Sequence, residues 1–367
     1  MKLRIAIAGC GKIADAHVEE IRKQPTASLV AACDVEELIA EQLAVRYGIP
    51  ERFADFDTML RKTSPDVVHI ATPPQYHVAL AKRAIDAGCH VFVEKPLALS
   101  YREAAHVIEY AERANRKLTV GWLANFDAAA LQLQSMVREG VIGDPVHLDS
   151  FYGYDFSGPF GPAFLRDPNH WLHGLPGKLF HNTIDHLLNK LPQFMSDEPP
   201  QVIAMAHPFQ DFGAEGVYDQ LRIMIRSGRV TANAVFAGSV KPLAHRLTVY
   251  GTRNIVEVDH VAGTAVALAA PTMPSAIGRL FPPFSQARRY WQAGMRNVKA
   301  FAHADYHYFA GLNHLIGRFY ESILNGTPPP IPYRELLWVY GVIDQVFAQI
   351  SAPQDAPQER SIAECAR

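Results

Sequence analysis

Leu3-Arg4-Ile5-Ala6-Ile7-Ala8-Gly9-Cys10-Gly11-Lys12-Ile13-Ala14 is the stretch whose reading decides the fold. A short apolar run of strand length stops at Gly9, and Lys12 to Arg22 continues with Ile13, His17, Val18 and Ile21 at helical spacing. The pattern predicts strand, tight turn and helix. Gly9 permits a sharp reversal, Gly11 carries no side chain to hold a diphosphate off the backbone, and Ala14 lets helix and strand pack closely. The free N–H groups of the turn and of the first helical residues, Lys12 and Ile13, would face the same point as the positive end of the helix.

Such a glycine turn is common by itself, and the next strand makes the reading specific. A second apolar run, Ser28 to Cys33, ends in Asp34, about 20 residues on, where a carboxylate can accept hydrogen bonds from both ribose hydroxyls. Asp34 would repel a 2′-phosphate, and Val35, Glu36 and Glu37 bring no cation to replace it, so NAD is expected over NADP. The plainer alternative is a structural βαβ unit with a capping Asp.

Bulk properties narrow the rest. At 367 residues the chain predicts two domains, and a net charge of −2 with 20% charged residues points to no nucleic-acid partner. The four cysteines show no C-x-x-C spacing, the chain enters a strand without a leader pattern, and no apolar run approaches the roughly 20 residues of a membrane span. A reducing, cytoplasmic location is the expectation.

After Asp34, strand-like runs at Asp66 to Thr72 and His90 to Val93 alternate with helical ones at Glu36 to Tyr47 and His77 to Ala87. Alternation predicts a parallel sheet with ligands at the carboxyl ends of its strands, where Gly9, Asp34, Thr72 and Lys95 all fall. A lysine there, its pKa lowered by partial burial, can hold a substrate hydroxyl and take part in proton transfer. The plain reading pairs it with Glu94.

Gly9-x-Gly11-x-x-Ala14, Asp34, Ala71-Thr72-Pro73 with His77, and above all Glu94-Lys95-Pro96 resemble the Gfo/Idh/MocA oxidoreductase family. The resemblance runs through residues 1 to about 125 and resumes at Ala128 to Tyr152. It implies an N-terminal Rossmann domain, set at 1–121, and a C-terminal α/β domain with an open, mainly antiparallel sheet, set at 122–350; the polar stretch 351–367, with Pro353 and Pro357, reads as a mobile tail. It also implies hydride transfer between NAD and a secondary alcohol or keto carbon of a sugar or cyclitol. Thr72, Pro73, His77 and Glu94 are the further cofactor-binding candidates. Where relatives carry basic residues before a Phe, this chain has Ala124-Asn125, so Asn125 is a candidate substrate contact, with Tyr154 another.

Relatives commonly place G-G-x-L-x-D-x-G-x-H where this chain has Pro176-Gly177-Lys178-Leu179-Phe180-His181-Asn182-Thr183-Ile184-Asp185. The acid and the imidazole are exchanged. The expectation is that His181 moves the alcohol proton while Asp185, one turn on, orients its ring and Lys95 polarises the oxygen. An alternative register uses His186, about 100° around the helix. No metal is expected, although His181, Asp185 and His186, with His170 and His173, form an alternative ligand set. A bland reading has these residues cap neighbouring loops.

Alternating runs at Val202 to His207, Gln220 to Arg226, Val230 to Phe236, Arg246 to Tyr250 and Ile255 to Val258 predict the second sheet, whose open face suits a homo-oligomer. Segment 279–301 mixes Arg279, Arg288, Arg289, Arg296 and Lys299 with aromatics, and reads as an oligomer face or active-site cover ahead of a membrane surface. Two alternatives stand beside the dehydrogenase: an NAD-bound enzyme that oxidises only transiently to drive epimerisation, elimination or glycoside cleavage, and a silent NAD-binding regulatory subunit.

Overall fold

The computed structural model describes residues 2–158, 161, 167, 170–210, 217–268 and 276–351. The expected tail beyond Ser351, together with Arg166, Pro168, Asn169, Pro271 and Pro274, lies outside the described residues.

The first sheet is parallel, with strands β1 (Leu3–Ala8), β2 (Ala27–Cys33), β3 (Glu51–Phe53), β4 (Val67–Ile70), β5 (His90–Val93) and β6 (Leu118–Val120) in the order β3-β2-β1-β4-β5-β6. The strand order therefore reverses between β1 and β4. In a doubly wound sheet a ligand sits in the crevice at that reversal, beyond the carboxyl ends of the two strands. The short β3 is not legible as a strand in the sequence. All four residues of β4 are buried although one is His69, so a polar ring lies inside an otherwise apolar strand.

The second sheet joins β7 (Pro145–Asp155), β8 (Gln201–His207), β9 (Gln220–Ser227), β10 (Val230–Ala237), β11 (Ser239–Gly251), β12 (Ile255–Asp259) and β13 (Thr264–Ala267) in the order β13-β12-β11-β7-β10-β9-β8. Every described pairing in it is antiparallel except β7 with β10. One face carries the short helices Lys178–Thr183 and Asp185–Leu188, whose Leu179, Leu187 and Leu188, with Ile184 between them, are buried as the apolar spacing predicts.

The chain's last two helices, Ala310–Asn325 and Tyr333–Ile350, pack back on the first half. Tyr340 Oη accepts the Leu97 N–H at 2.6 Å, and Lys117 Nζ donates to the Thr327 carbonyl at 2.6 Å. The loop after β5, which carries Lys95, is thus clamped from behind by C-terminal chain.

Candidate active site

The glycine turn has the shape its residues require. Gly9 stands at φ +88°, and a Cβ there would lie 2.6 Å from the Ala71 backbone, so the close approach of β1 and β4 admits only glycine. A Cβ on Gly11 would meet nothing within 4 Å. That open side is where a diphosphate can reach the N-terminus of the first helix (Lys12–Arg22), which has no side-chain cap. Asp34 accepts the Cys10 N–H at 2.7 Å and the Glu36 N–H at 3.0 Å, which fixes its carboxylate beside the turn with lone pairs to spare. Across the crevice, Thr72 Oγ1 is buried without a hydrogen-bond partner. A polar cradle open above Gly11, with an orphaned Thr72 hydroxyl across from it, fits a dinucleotide.

His77 sits behind this surface. Its ring nitrogens face the Thr72 and Pro96 carbonyls, both at 2.7 Å, so its position is that of a brace between two loops and not of a cofactor ligand. Burial keeps its pKa below the ordinary value. Pro73 is exposed at the crevice edge.

Glu94 is the end of a buried chain of hydrogen bonds that sequence reasoning missed. Its Oε1 lies 2.8 Å from His17 Nε2; His17 Nδ1 lies 2.8 Å from His69 Nδ1; and His69 Nε2 lies 2.8 Å from Tyr320 Oη. With both rings neutral, one polarity satisfies every member: the Tyr320 hydroxyl donates to His69, His69 to His17, and His17 to the carboxylate. Burial pushes the Glu94 pKa up, but the His17 hydrogen bond and the neighbouring Lys95 charge outweigh it, and the net shift is downward. A Cβ at Gly121 would lie 2.6 Å from Glu94 Oε1, so a glycine there makes room for the carboxylate. The one readable sign was a histidine among the valines of β4.

Lys95 Nζ donates to the Asn182 carbonyl at 3.1 Å and to its side-chain Oδ1 at 3.2 Å. Asn182, also missed, therefore aims the ammonium. Asp185 is buried near that ammonium, and neither of its oxygens has a hydrogen-bond partner. Burial pushes its pKa up to about 7, against Lys95 and the Trp122 indole, which pull it down. Trp122 Nε1 is itself buried and unpartnered, so the indole acts on the carboxyl without a formed hydrogen bond.

The expected His181–Asp185 pair does not form. The His181 ring is buried against Phe347, with centroids 5.0 Å apart, and neither of its nitrogens bonds to Asp185; the nearest polar influence on it is the Ala98 backbone. Burial brings its pKa down to about 4. Ile184 keeps helical dihedrals, φ −62° and ψ −31°, so the two residues stay one turn apart, yet no hydrogen bond joins their side chains. His186 instead stacks on Tyr152 at 5.0 Å, half-buried, and lies close enough to Lys95 for the ammonium to depress its pKa, after burial. Asn125 donates to the Asn189 carbonyl at 2.8 Å and keeps a buried, unpartnered Oδ1. Tyr154 packs on Phe156 at 4.9 Å. Among the described residues no group of three or more His, Cys, Asp or Glu is arranged to hold a metal ion. A cavity of about 470 Å³ lies between Gln75 and Leu99 of the first half and His170, Trp171 and His173 to Leu175; neither Lys95 nor Asp185 lines it.

Residues 3–122 match the model of the oxidoreductase family with an NAD-binding Rossmann fold, and residues 130–257 match the Gfo/Idh/MocA C-terminal domain. The chain belongs to the Gfo/Idh/MocA oxidoreductase family. Within it, the chain is 34% identical to the D-glucoside 3-dehydrogenase of Escherichia coli over 39% of its own length and 41% of that protein's. It is 24% identical to the inositol 2-dehydrogenase of Rhizobium meliloti over 82% of its length and 88% of the relative's. An NAD-binding oxidoreductase structure from Klebsiella pneumoniae shares the fold, with a TM-score of 0.76 at 20% identity, covering 96% of this chain and 97% of that one. NAD is thus the cofactor of the N-terminal Gfo/Idh/MocA domain, and the cradle around Gly9, Gly11 and Asp34 fits it.

Proposed function

We propose that the chain oxidises a secondary alcohol of a sugar or cyclitol, or reduces the corresponding keto carbon, with Lys95 and Asp185 as its catalytic residues. The observation that carries this reading is the buried Asp185 carboxyl, without a hydrogen-bond partner and near enough to the Lys95 ammonium for that charge to lower its pKa. Bound NAD supplies the hydride acceptor or donor. Two Lys95 N–H groups go to Asn182, which leaves the third for the substrate oxygen. Asp185 takes the alcohol proton on oxidation and returns it on reduction, a task suited to a carboxyl whose pKa lies near neutrality. The His181 imidazole, buried against Phe347 and unpaired with Asp185, has a packing role in this scheme.

His186, Asn125 and Tyr154 are the residues from which substrate contacts would be drawn, and the names of the glucoside and inositol relatives support a polyhydroxylated ring. Asp34 favours NAD over NADP. The outer face of the second sheet leaves Ile203, Met205 and Met224 exposed, which supports a homo-oligomer formed through it.

The test is NADH absorbance while a panel of glycosides, cyclitols and nucleotide sugars is added to enzyme and NAD. NADH accumulation with one substrate class, lost in Lys95→Met and Asp185→Asn with NADH binding retained, is the expected result. Substrate conversion without NADH accumulation would favour transient oxidation, and NAD binding with no conversion of any compound would favour a silent subunit.

A further inference from the structure

The helix Pro282–Ala302 presents its apolar side to solvent. Towards the body it turns small and polar groups: Ala293 is buried, Arg289 donates to the Ala267 carbonyl at 2.5 Å, and Asn297 donates to the Ala262 carbonyl at 2.8 Å. Phe284, Trp291, Met295 and Val298 lie on the opposite side and are 75%, 68%, 47% and 58% exposed. At about 100° per residue all four fall within roughly 60° of one line along the helix. Phe281 and Phe301 extend the exposed surface at its two ends.

Charge identifies what can cover this stripe. From His260 to Ala304 the sequence contains no Asp or Glu. Arg288 and Lys299 flank the stripe on one side, and among the described residues neither they nor Arg279 pair with a carboxylate. A second copy laid antiparallel on the stripe would bring Arg288 beside the partner's Lys299 and so concentrate like charge. An anionic lipid surface offers the opposite: an acyl boundary for the four apolar side chains and headgroup charge for the flanking cations, whose stems can extend along the apolar face.

We infer that this helix docks the protein on anionic membrane surfaces, lying in the interface plane with the Phe284–Val298 stripe inserted. No helix among the described residues is long and apolar enough to cross a membrane, so the contact is peripheral. The sequence by itself favours an oligomer face or an active-site cover over a membrane surface for this segment; the outward orientation of its apolar side points to the membrane surface instead.

Sedimentation of the full-length protein with vesicles tests it. Binding is expected to an equimolar mixture of phosphatidylcholine and phosphatidylglycerol, and to be at least about tenfold weaker to phosphatidylcholine alone and in high salt. Phe284→Glu with Trp291→Glu should abolish it, and Arg288→Glu with Lys299→Glu should weaken it about tenfold or more. Both pairs are exposed, and unchanged NADH binding reports that the fold is intact. Absence of binding to the anionic mixture, or binding that neither pair alters, overturns the inference. A dimer that Phe284→Glu with Trp291→Glu dissociates, without vesicle binding by the unaltered protein, would assign the stripe to a second copy.

Discussion

At Asp185 burial and a neighbouring ammonium pull in opposite directions, and burial wins. The folded state holds this proton more tightly than the unfolded chain, whose carboxyl titrates near about 3.9. The stabilisation from the protonated form is therefore complete below about pH 4 and is lost as pH rises through about 7. Asp185→Asn is accordingly predicted to raise the melting temperature at pH 8 while removing turnover, a combination that calorimetry and NADH absorbance check together. A melting temperature lowered at pH 8 would mean the carboxylate is stabilised where it stands. At the other end of the crevice, Val35 is 85% exposed beside Asp34. Asp34→Ser with Val35→Arg removes a repulsion and supplies a phosphate partner; the preference for NADPH over NADH should rise by about 2 kcal/mol, roughly thirtyfold, in paired binding titrations.

At the scale of elements, the Glu94–His17–His69–Tyr320 chain ties the first helix, β4, the residue that follows β5 and the C-terminal helix Ala310–Asn325 into one buried network. Removing the terminal donor and removing the donor to the buried carboxylate should cost different amounts. Tyr320→Phe leaves one neutral ring nitrogen unsatisfied, for about 1–3 kcal/mol, whereas His17→Leu strands a buried carboxylate, for about 3–5 kcal/mol. Urea unfolding at pH 7 orders the two variants. Equal losses would show that Glu94 does not depend on His17 for its charge. How far these elements can be read from sequence varies with their physics. The longer strands of the parallel sheet and the last helix at Tyr333 announce themselves by apolar runs with clear stops, and Gly9 and Gly11 by a turn only glycine can make. Residues 178–188 do not: helical periodicity puts His181 and Asp185 one turn apart, but the His181 ring packs on Phe347 and makes no hydrogen bond to Asp185. Asn182, Trp122 and Tyr320 act through tertiary placement, which leaves no periodic trace in the sequence.

Over the whole molecule, the two sheets divide the work. The parallel sheet builds the cofactor cradle at its strand reversal, and the second sheet carries the helices that bring Asp185 and Asn182 to Lys95. The C-terminal helices then lock the Lys95 loop from behind through Tyr340. Loss of that clamp should act on chemistry without touching the cradle: Tyr340→Phe is predicted to lower kcat several-fold with little change in NADH affinity, measured by steady-state kinetics and fluorescence titration. A large loss of NADH affinity would place the clamp on the cofactor side instead.

The most direct measurement is the pH dependence of kcat/KM for alcohol oxidation with the substrate found in the panel. The rate is expected to rise with a slope of one through about pH 7, and the rise to be lost in Asp185→Asn while His181→Leu retains it. A rise that persists in Asp185→Asn and vanishes in His181→Leu would contradict it and return the proton to the imidazole.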